Sequence, residues 1–243
     1  DVGASWFLAR LPGRLGLFLG LTGTPLNARD ALDLGLADRF LGEQQQAGLV
    51  DELLQLNWQE QTALQLNSLL KAEEHRASRQ LPPAQWLPRR QLIDRVLDVT
   101  DASAAWHALS ALRQHDDPLL ASAAERMQGG CPLTAHLVWE QIHRARHLSL
   151  AQVFQMEYAM SLNCCRHPEF GEGVRARLLD KAHQPRWHRP AVAPAPPAVA
   201  QAHFAQAWEG RHPPAALGSP RCCSPPRSGP APPRVPPTVP LPP

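Results

Sequence analysis

Few residues of this sequence have the types and spacing that a catalytic or metal site requires. His143 and His147 form an H-x-x-x-H pair on a predicted helix, an arrangement that can hold a metal ion. Glu does not follow the first histidine and a third ligand is lacking, so we expect no metal site. The sequence contains no G-x-S-x-G, G-x-G-x-x-G or P-loop motif, which argues against an α/β-hydrolase serine nucleophile and against a nucleotide-binding loop.

Carboxylates remain as candidates for acid–base chemistry. Asp1 precedes the segment VGASWFLARL, and its residue type alone predicts a helix N-cap, because Asp is among the best capping residues. Glu157, Glu169 and Glu172 lie near one another towards the end of the helical region. Charged helix faces are usually solvated, so we interpret these three glutamates as salt-bridge or helix-cap residues rather than acid–base groups.

The composition limits the class of protein. The 243 residues are 44% hydrophobic and 19% charged, which is enough to bury a core. The net charge of +2 indicates neither a nucleic-acid partner nor a membrane surface, and no apolar run reaches the roughly 18 residues of a membrane span. The five cysteines are odd in number and lack C-x-x-C spacing, so we expect reduced thiols in a cytoplasmic protein.

Apolar spacing predicts a mostly α-helical chain with about one short strand. Residues 14–23, RLGLFLGLTG, follow the i, i+3, i+4, i+7 pattern of a helix that Gly23 would end. Asn27 is the candidate N-cap of a second helix that stops at Gly35, and LADRFL at 36–41 is predicted to be the strand. Further helices are expected at 48–72 (one or two helices), 89–98, 101–113, 118–128, 132–147, 150–166, 169–180 and 198–210.

The composition changes near Pro190, because 17 of the 26 prolines lie from there to the end. A Pro-rich segment without periodic apolar residues does not bury a core. The domains predicted from this change are an opening segment at 1–45, a helical domain at 46–190, a Pro-rich bridge with a short helix at 191–217, and a disordered tail at 218–243.

Two stretches are specific enough to indicate a family. The opening DVG, followed by FLARLPG and LTGTPLNARDALDLGLADRF, resembles the crotonase (enoyl-CoA hydratase/isomerase) superfamily. Residues 154–187, FQMEYAMSLNCCRHPEFGEGVRARLLDKAHQPRW, are similar to the C-terminal signature of one branch, the 3-hydroxyisobutyryl-CoA hydrolases. The resemblance runs from Asp1 to about Leu217, and it implies the C-terminal part of an α/β crotonase (ClpP-like) fold.

The resemblance implies a thioesterase of valine breakdown that hydrolyses 3-hydroxyisobutyryl-CoA. No separate cofactor is expected, since CoA is part of the substrate, and a homo-oligomer is compatible with the family. Asp1 fills the place of the acid in the family's P-D-V-G motif and is the expected catalytic residue. The resemblance places Gly3, Trp6 and Phe7 at the substrate, and it suggests Lys181 as a contact of the CoA phosphates.

The same resemblance implies that some catalytic groups lie outside this chain, and it leaves two alternative functions open. A partner glutamate and two oxyanion-hole N–H groups precede the opening motif in that family, so we expect this chain alone to be catalytically incomplete. An enoyl-CoA hydratase or isomerase is the nearest alternative, although hydratases commonly have Gly-Ala-Gly-Gly where this chain has Asp-Val-Gly-Ala. A non-catalytic helical interaction protein is the alternative of another class.

Overall fold

The computed structural model describes residues 2–59, 61–181, 184–188, 197–206, 208 and 210. These residues form short helices joined by turns, and the predicted mostly α-helical chain is confirmed. The α-helices of the described residues are α1 (Ala4–Leu8), α2 (Leu15–Thr22), α3 (Ala28–Asp33), α4 (Glu43–Leu54), α5 (Thr62–Ala77), α6 (Arg90–Val96), α7 (Ala102–Ala111), α8 (Pro118–Gln128), α9 (Pro132–Ala145), α10 (Leu150–Arg166), α11 (Pro168–Val174) and α12 (Pro197–His203).

Three short 3₁₀ segments and one π-helical segment connect these helices. The 3₁₀ segments are Ser78–Gln80, Leu87–Arg89 and Leu112–Gln114, and the π-helical segment Arg175–Leu179 continues α11. Helix α12 is shorter than the predicted helix at 198–210. The predicted tail at 218–243 lies outside the described residues.

The predicted strand at 36–41 is wrong, since the structure contains no strand within the residues it describes. The N–H groups of Leu36 and Ala37 both donate to the Ala31 carbonyl, at 2.8 and 3.1 Å, and so extend the end of α3 as a turn. The Phe40 N–H donates to the Glu74 carboxylate of α5 at 3.4 Å. These N–H groups donate to a carbonyl of α3 and to a side chain of α5. A β-strand would instead need hydrogen bonds to the backbone of a neighbouring strand.

Local capping residues set the ends of the early helices as predicted. Gly23 has a φ of 57° and its N–H donates to the Leu19 carbonyl at 2.9 Å, which ends α2. Asn27 and Asp30 form a reciprocal capping box at the start of α3. Gly35 follows α3 with a φ of 68°.

Helix α2 is the centre of the largest hydrophobic cluster and contacts α1, α6, α8 and α9. Leu15 and Phe18 are fully buried, and the Phe18 ring lies 5.1 Å from the ring of Trp86. A Cβ at Gly16 would overlap the Leu8 carbonyl oxygen, so glycine allows α1 to lie directly on α2. This packing fixes the position of α1.

The same cluster contains residues from both sides of the predicted boundary at 45 and 46, from Leu15 and Leu34 to Ile93 and Leu109. The domain boundaries stay predictions, and the two segments share this core. No helix among the described residues is long and apolar enough to cross a membrane.

Asp30 is a fully buried carboxylate that joins α3 to the loop before α6. Its Oδ1 accepts the N–H groups of Gln85 and Trp86 at 2.7 and 2.9 Å. The Trp86 indole N–H in turn donates to the Pro25 carbonyl at 3.0 Å. Asp30 thereby fixes the backbone that leads into the central tryptophan.

Asp30→Ala is expected to lower the free energy of unfolding by about 2 to 4 kcal/mol, because the buried N–H group of Trp86 and the partly buried N–H group of Gln85 lose their acceptor. Urea unfolding followed by circular dichroism measures the change. Asp33→Ala is the matched control on the same helix, since it removes only an i,i+4 ion pair with Arg29 and is expected to cost about 0.3 to 0.5 kcal/mol. Equal losses in the two variants would contradict the role assigned to Asp30.

Candidate functional site

The turn before α1 is held in an unusual backbone conformation. Val2 has a φ of 50° and Gly3 a φ of 86°, so two consecutive residues lie at positive φ. Gly3 occupies the N-cap position of α1, and no side chain within the turn caps the helix. Asp1, the predicted catalytic residue, lies outside the described residues. The N-cap position that residue type alone suggested for Asp1 belongs to Gly3.

The carboxylate of Glu157, from the middle of α10, supplies the missing cap. Its Oε2 accepts the Gly3 N–H at 2.6 Å, and its Oε1 accepts the Ser5 N–H at 2.9 Å. The Ser5 hydroxyl donates to the same Oε1 at 2.5 Å. A distant glutamate therefore binds the free N–H groups at the start of α1 as a capping residue would.

Gln141 of α9 completes this buried network. Its side-chain amide donates to the Ser5 hydroxyl oxygen at 2.5 Å and lies 3.4 Å from Glu157 Oε1. Ser5, Gln141 and Glu157 are exposed by only 1, 8 and 2%. The network thus connects α1, α9 and α10 through polar groups shielded from water, where hydrogen bonds are strongest and hardest to replace.

Glu157 is held in its ionised form. Burial alone would raise its pKa, but hydrogen bonds from the Ser5 hydroxyl and from the N–H groups of Gly3 and Ser5 outweigh burial and lower the pKa below its ordinary value of 4.5. A carboxylate with this set of donors is a weak proton acceptor. Glu157 therefore suits positioning of the turn rather than acid–base catalysis.

Gly3 also lies in close contact with α10. A Cβ at Gly3 would lie 3.3 Å from Phe154 Cζ and 3.6 Å from Leu150 Cδ1. The absence of a side chain and the positive φ together allow the turn to approach the helix. The sequence resemblance predicted that Gly3 contacts the substrate. In the structure, Gly3 lies in the turn before α1 and allows this turn to pack against α10.

Trp6 and Phe7, the other predicted substrate contacts, lie on α1 immediately after the turn. The Arg10 guanidinium lies 4.3 Å from the centre of the Trp6 ring and donates to the Leu148 carbonyl at 3.0 Å. Phe7 is 38% exposed. The structure brings Gly3, Trp6 and Phe7 together on one short segment, and their contact with substrate stays a prediction.

Lys181, the predicted phosphate contact, lies on a different part of the structure. It follows the π-helical segment Arg175–Leu179, with a φ of 52° and an exposed side chain. Its neighbour Arg175 forms ion pairs with Glu172, at 2.6 Å, and with Asp180. Lys181 is exposed to solvent, and its role with CoA stays a prediction.

The three glutamates of the C-terminal signature form the expected structural contacts. Glu157 caps α1, Glu172 pairs with Arg175, and Glu169 accepts the His188 N–H at 3.2 Å. The interpretation as salt-bridge or cap residues is confirmed for Glu172 and Glu157. The expectation of solvated side chains is wrong for Glu157 and Glu169, which are only 2 and 5% exposed. The positioning role of Glu157 was missed, although it lies four residues after Val153 and three before Met160, on the buried face of α10. An acid on the apolar face of a helix was the available signal.

His143 lies on α9 and has local contacts, whereas His147 lies in the turn that follows this helix. His143 Nδ1 lies 2.7 Å from the Trp139 carbonyl oxygen, and the two rings are 4.4 Å apart. Within the part of the chain that the structure describes, no three His, Cys, Asp or Glu side chains are grouped so that they could hold a metal ion.

Comparison with known proteins finds a matching family and several curated relatives. Residues 1–204 match the family described as enoyl-CoA hydratase/isomerase. The mitochondrial 3-hydroxyisobutyryl-CoA hydrolase of Danio rerio is 32% identical over 188 residues, 77% of this chain and 48% of the relative. The enzyme of the same name from Homo sapiens is 29% identical over 187 residues, 77% of this chain and 47% of the relative. The chain spans about half the length of the curated relatives it matches.

Two solved structures are similar to this fold. A carnitinyl-CoA dehydratase from Mycobacterium thermoresistibile has a TM-score of 0.67 and 30% identity, covering 84% of this chain and 55% of that one. An enoyl-CoA hydratase from Rhodobacter sphaeroides 2.4.1 has a TM-score of 0.67 and 28% identity, covering 85% of this chain and 56% of that one. The names of the hydrolase relatives refer to mitochondria, so the predicted cytoplasmic location has no support from them and stays a prediction.

Glu157→Gln is expected to lower the free energy of unfolding by about 1 to 3 kcal/mol at neutral pH, because the new amide group would face an N–H donor at a buried site. The pKa of Glu157 is lowered by folding, so its ionised form stabilises the protein above the ordinary value of 4.5 and this contribution is lost as the pH falls through the folded pKa. The gap between wild type and variant should therefore narrow in acid.

Urea unfolding at a series of pH values measures this gap. Glu125→Gln, which changes an exposed glutamate of α8, is the matched control and should alter stability by less than about 0.5 kcal/mol at every pH. A gap for Glu157→Gln that stays constant from neutral pH to well below 4.5 would contradict the assignment.

Gly3→Ala should destabilise the protein more than Gly23→Ala. Both positions have positive φ, where a side chain costs about 1 to 2 kcal/mol. Only at Gly3 would the new Cβ meet a neighbour, Phe154, since nothing lies within 4 Å of a Cβ at Gly23. Thermal unfolding of the two variants tests this difference, and a larger loss for Gly23→Ala would show that the turn does not pack tightly on α10.

Proposed function

The chain belongs to the enoyl-CoA hydratase/isomerase family, and we propose that the protein containing it hydrolyses the thioester of 3-hydroxyisobutyryl-CoA to the free acid and CoA. The substrate comes from the names of the relatives in Danio rerio and Homo sapiens. The single structural observation that supports a site at the start of the chain is the Glu157 network at Gly3 and Ser5. We propose Asp1 as the acid–base residue of that site.

The Glu157 network supports this assignment because a catalytic carboxylate must be held in a fixed place. The turn that follows Asp1 is bound to Glu157 within two residues, by the Gly3 N–H at 2.6 Å. The turn also rests on α10, where Gly3 meets Phe154. Positioning by buried hydrogen bonds and packing on a rigid helix is what a precise catalytic group requires.

In this proposal Asp1 takes a proton from water as the water attacks the thioester carbonyl, and the proton then passes to the departing CoA thiolate. Negative charge that develops on the carbonyl oxygen needs N–H donors, each worth about 3 to 4 kcal/mol in the transition state. The N–H groups of Gly3 and Ser5 are bound to Glu157. We therefore assign the oxyanion donors to residues other than these two.

A second candidate function is hydration or isomerisation of an enoyl-CoA. It is favoured by the two solved structures, whose names are a dehydratase and a hydratase that act on CoA esters. The same turn could serve it, since a positioned carboxylate also moves a proton at a carbon next to a thioester. The two functions differ in their product, because only hydrolysis releases a free thiol.

The deciding experiment uses the natural full-length protein that contains these residues. Thiol release from 3-hydroxyisobutyryl-CoA is followed with a colorimetric thiol reagent, and hydration of crotonyl-CoA is followed in parallel. Thiol release that falls by about 10² to 10⁴ in Asp1→Asn supports hydrolysis with Asp1 as acid–base residue. Asp51→Asn, an exposed aspartate of α4, is the control and should leave the rate unchanged.

Two results would contradict the proposal. Hydration without thiol release would assign the protein to the hydratases. Rapid thiol release that is unaffected by Asp1→Asn would keep the hydrolase function and remove Asp1 from its site.

A further inference from the structure

A second candidate site is a cleft of about 710 Å³ formed by α9, α11 and the π-helical segment. The ends of α8, α10 and α12 and residues near Trp187 complete its lining. We refer to it as the C-terminal cleft. Its size is within the range of small-molecule sites in proteins. Its lining does not include Gly3, Trp6, Phe7 or Glu157, so it is separate from the turn before α1.

Glu169 gives the C-terminal cleft a polar group without a complete set of partners. The residue is 5% exposed, and its Oε2 accepts the His188 N–H at 3.2 Å. The ring Nδ1 of His188 lies 3.6 Å from the same oxygen. The other oxygen, Oε1, is buried and receives no hydrogen bond from any residue that the structure describes. A buried carboxylate oxygen in this state favours a ligand that brings an N–H donor.

The walls of the cleft are mainly apolar. Leu133, Phe170 and Trp187 line it, together with the thiols of Cys131 and Cys164. Burial raises the pKa of both thiols, so they remain neutral at physiological pH. Such walls suit the apolar body of a ligand rather than a wholly polar one.

Two arginines provide positive charge at the exposed side of the cleft. Arg126 and Arg177 line it and are exposed, whereas Glu169 is buried. Neither arginine has an ion pair among the described residues, in contrast to Arg175, which pairs with Glu172. Free guanidinium groups bind carboxylates through paired N–H donors.

We propose that the C-terminal cleft binds an amino-acid-like zwitterion. The ammonium group of this ligand donates to Glu169 Oε1, its apolar body packs against Phe170 and Trp187, and its carboxylate meets Arg126 or Arg177. The inference does not depend on the function proposed for the turn before α1, because Gly3, Trp6, Phe7 and Glu157 are not among the residues that line the cleft. Its test measures binding rather than turnover.

The first test compares three probes with the 243-residue chain by isothermal titration calorimetry. L-phenylalanine carries both charged groups, 2-phenylethylamine only the ammonium, and 3-phenylpropionate only the carboxylate. We expect L-phenylalanine to bind at least about tenfold more tightly than either of the other two, because each lost group is a charge-assisted hydrogen bond. Equal affinity for the three probes, or no binding of L-phenylalanine at millimolar concentration, overturns the proposal.

Variants assign the groups of the ligand to residues of the cleft. Glu169→Gln should weaken L-phenylalanine and 2-phenylethylamine by at least about tenfold and leave 3-phenylpropionate unchanged. The double variant Arg126→Gln/Arg177→Gln should have the reverse selectivity, weakening the two acids only. Glu125→Gln is the matched control, since this exposed glutamate adjoins Arg126 but does not line the cleft.

Thermal unfolding of each variant checks that it is folded. If Glu169→Gln does not fold, the order of the three probes on the wild-type chain still decides the proposal. A folded Glu169→Gln that binds 2-phenylethylamine as tightly as wild type overturns it.

Discussion

A single buried carboxylate connects the first helix of the structure, α1, to helix α10. Glu157 lies 154 residues after Gly3 in sequence, and its carboxylate accepts the N–H groups of Gly3 and Ser5 and the Ser5 hydroxyl at the start of α1. Helix α1 has five residues, too few to be stable by itself in water. Its existence depends on this bond network and on α2, where Gly16 allows the helices to touch. The position of the turn before α1 follows from these two contacts.

Local sequence patterns predicted most of the helices. They failed where the backbone conformation depends on a hydrogen-bond partner that is distant in sequence. The end of α2 at Gly23 and the capping box of α3 depend on residues within one turn, so the sequence pattern was sufficient. Residues 36–41 have apolar positions that also suit a strand, but their N–H groups bond to Ala31 and Glu74. No pattern within six residues contains that information.

The candidate site also depends on contacts between residues that are distant in sequence, which local patterns do not predict. The types of Asp1, Gly3, Trp6 and Phe7 and their resemblance to a family were enough to direct attention to the opening segment. The role of Glu157 was missed because a charged residue on a helix is usually solvated. Only the fold brings Ser5, Gln141 and Glu157 together. The sequence signal for this network was an acidic residue, Glu157, at helical spacing from the apolar residues Val153 and Met160, all three of which are buried.

Two buried glutamates on neighbouring helices differ in the hydrogen bonds that their carboxylates receive. This difference distinguishes a structural role from a ligand-binding role. Both oxygens of Glu157 have donors within the chain, and its pKa is lowered as a result. Glu169 has donors for one oxygen only among the described residues, and its other oxygen is buried beside a cleft. The first carboxylate has donors from the chain on both oxygens and holds α1 in place. The second has a buried oxygen that receives no donor from the described residues, and for this reason the ligand proposed for the cleft is one that brings an N–H donor.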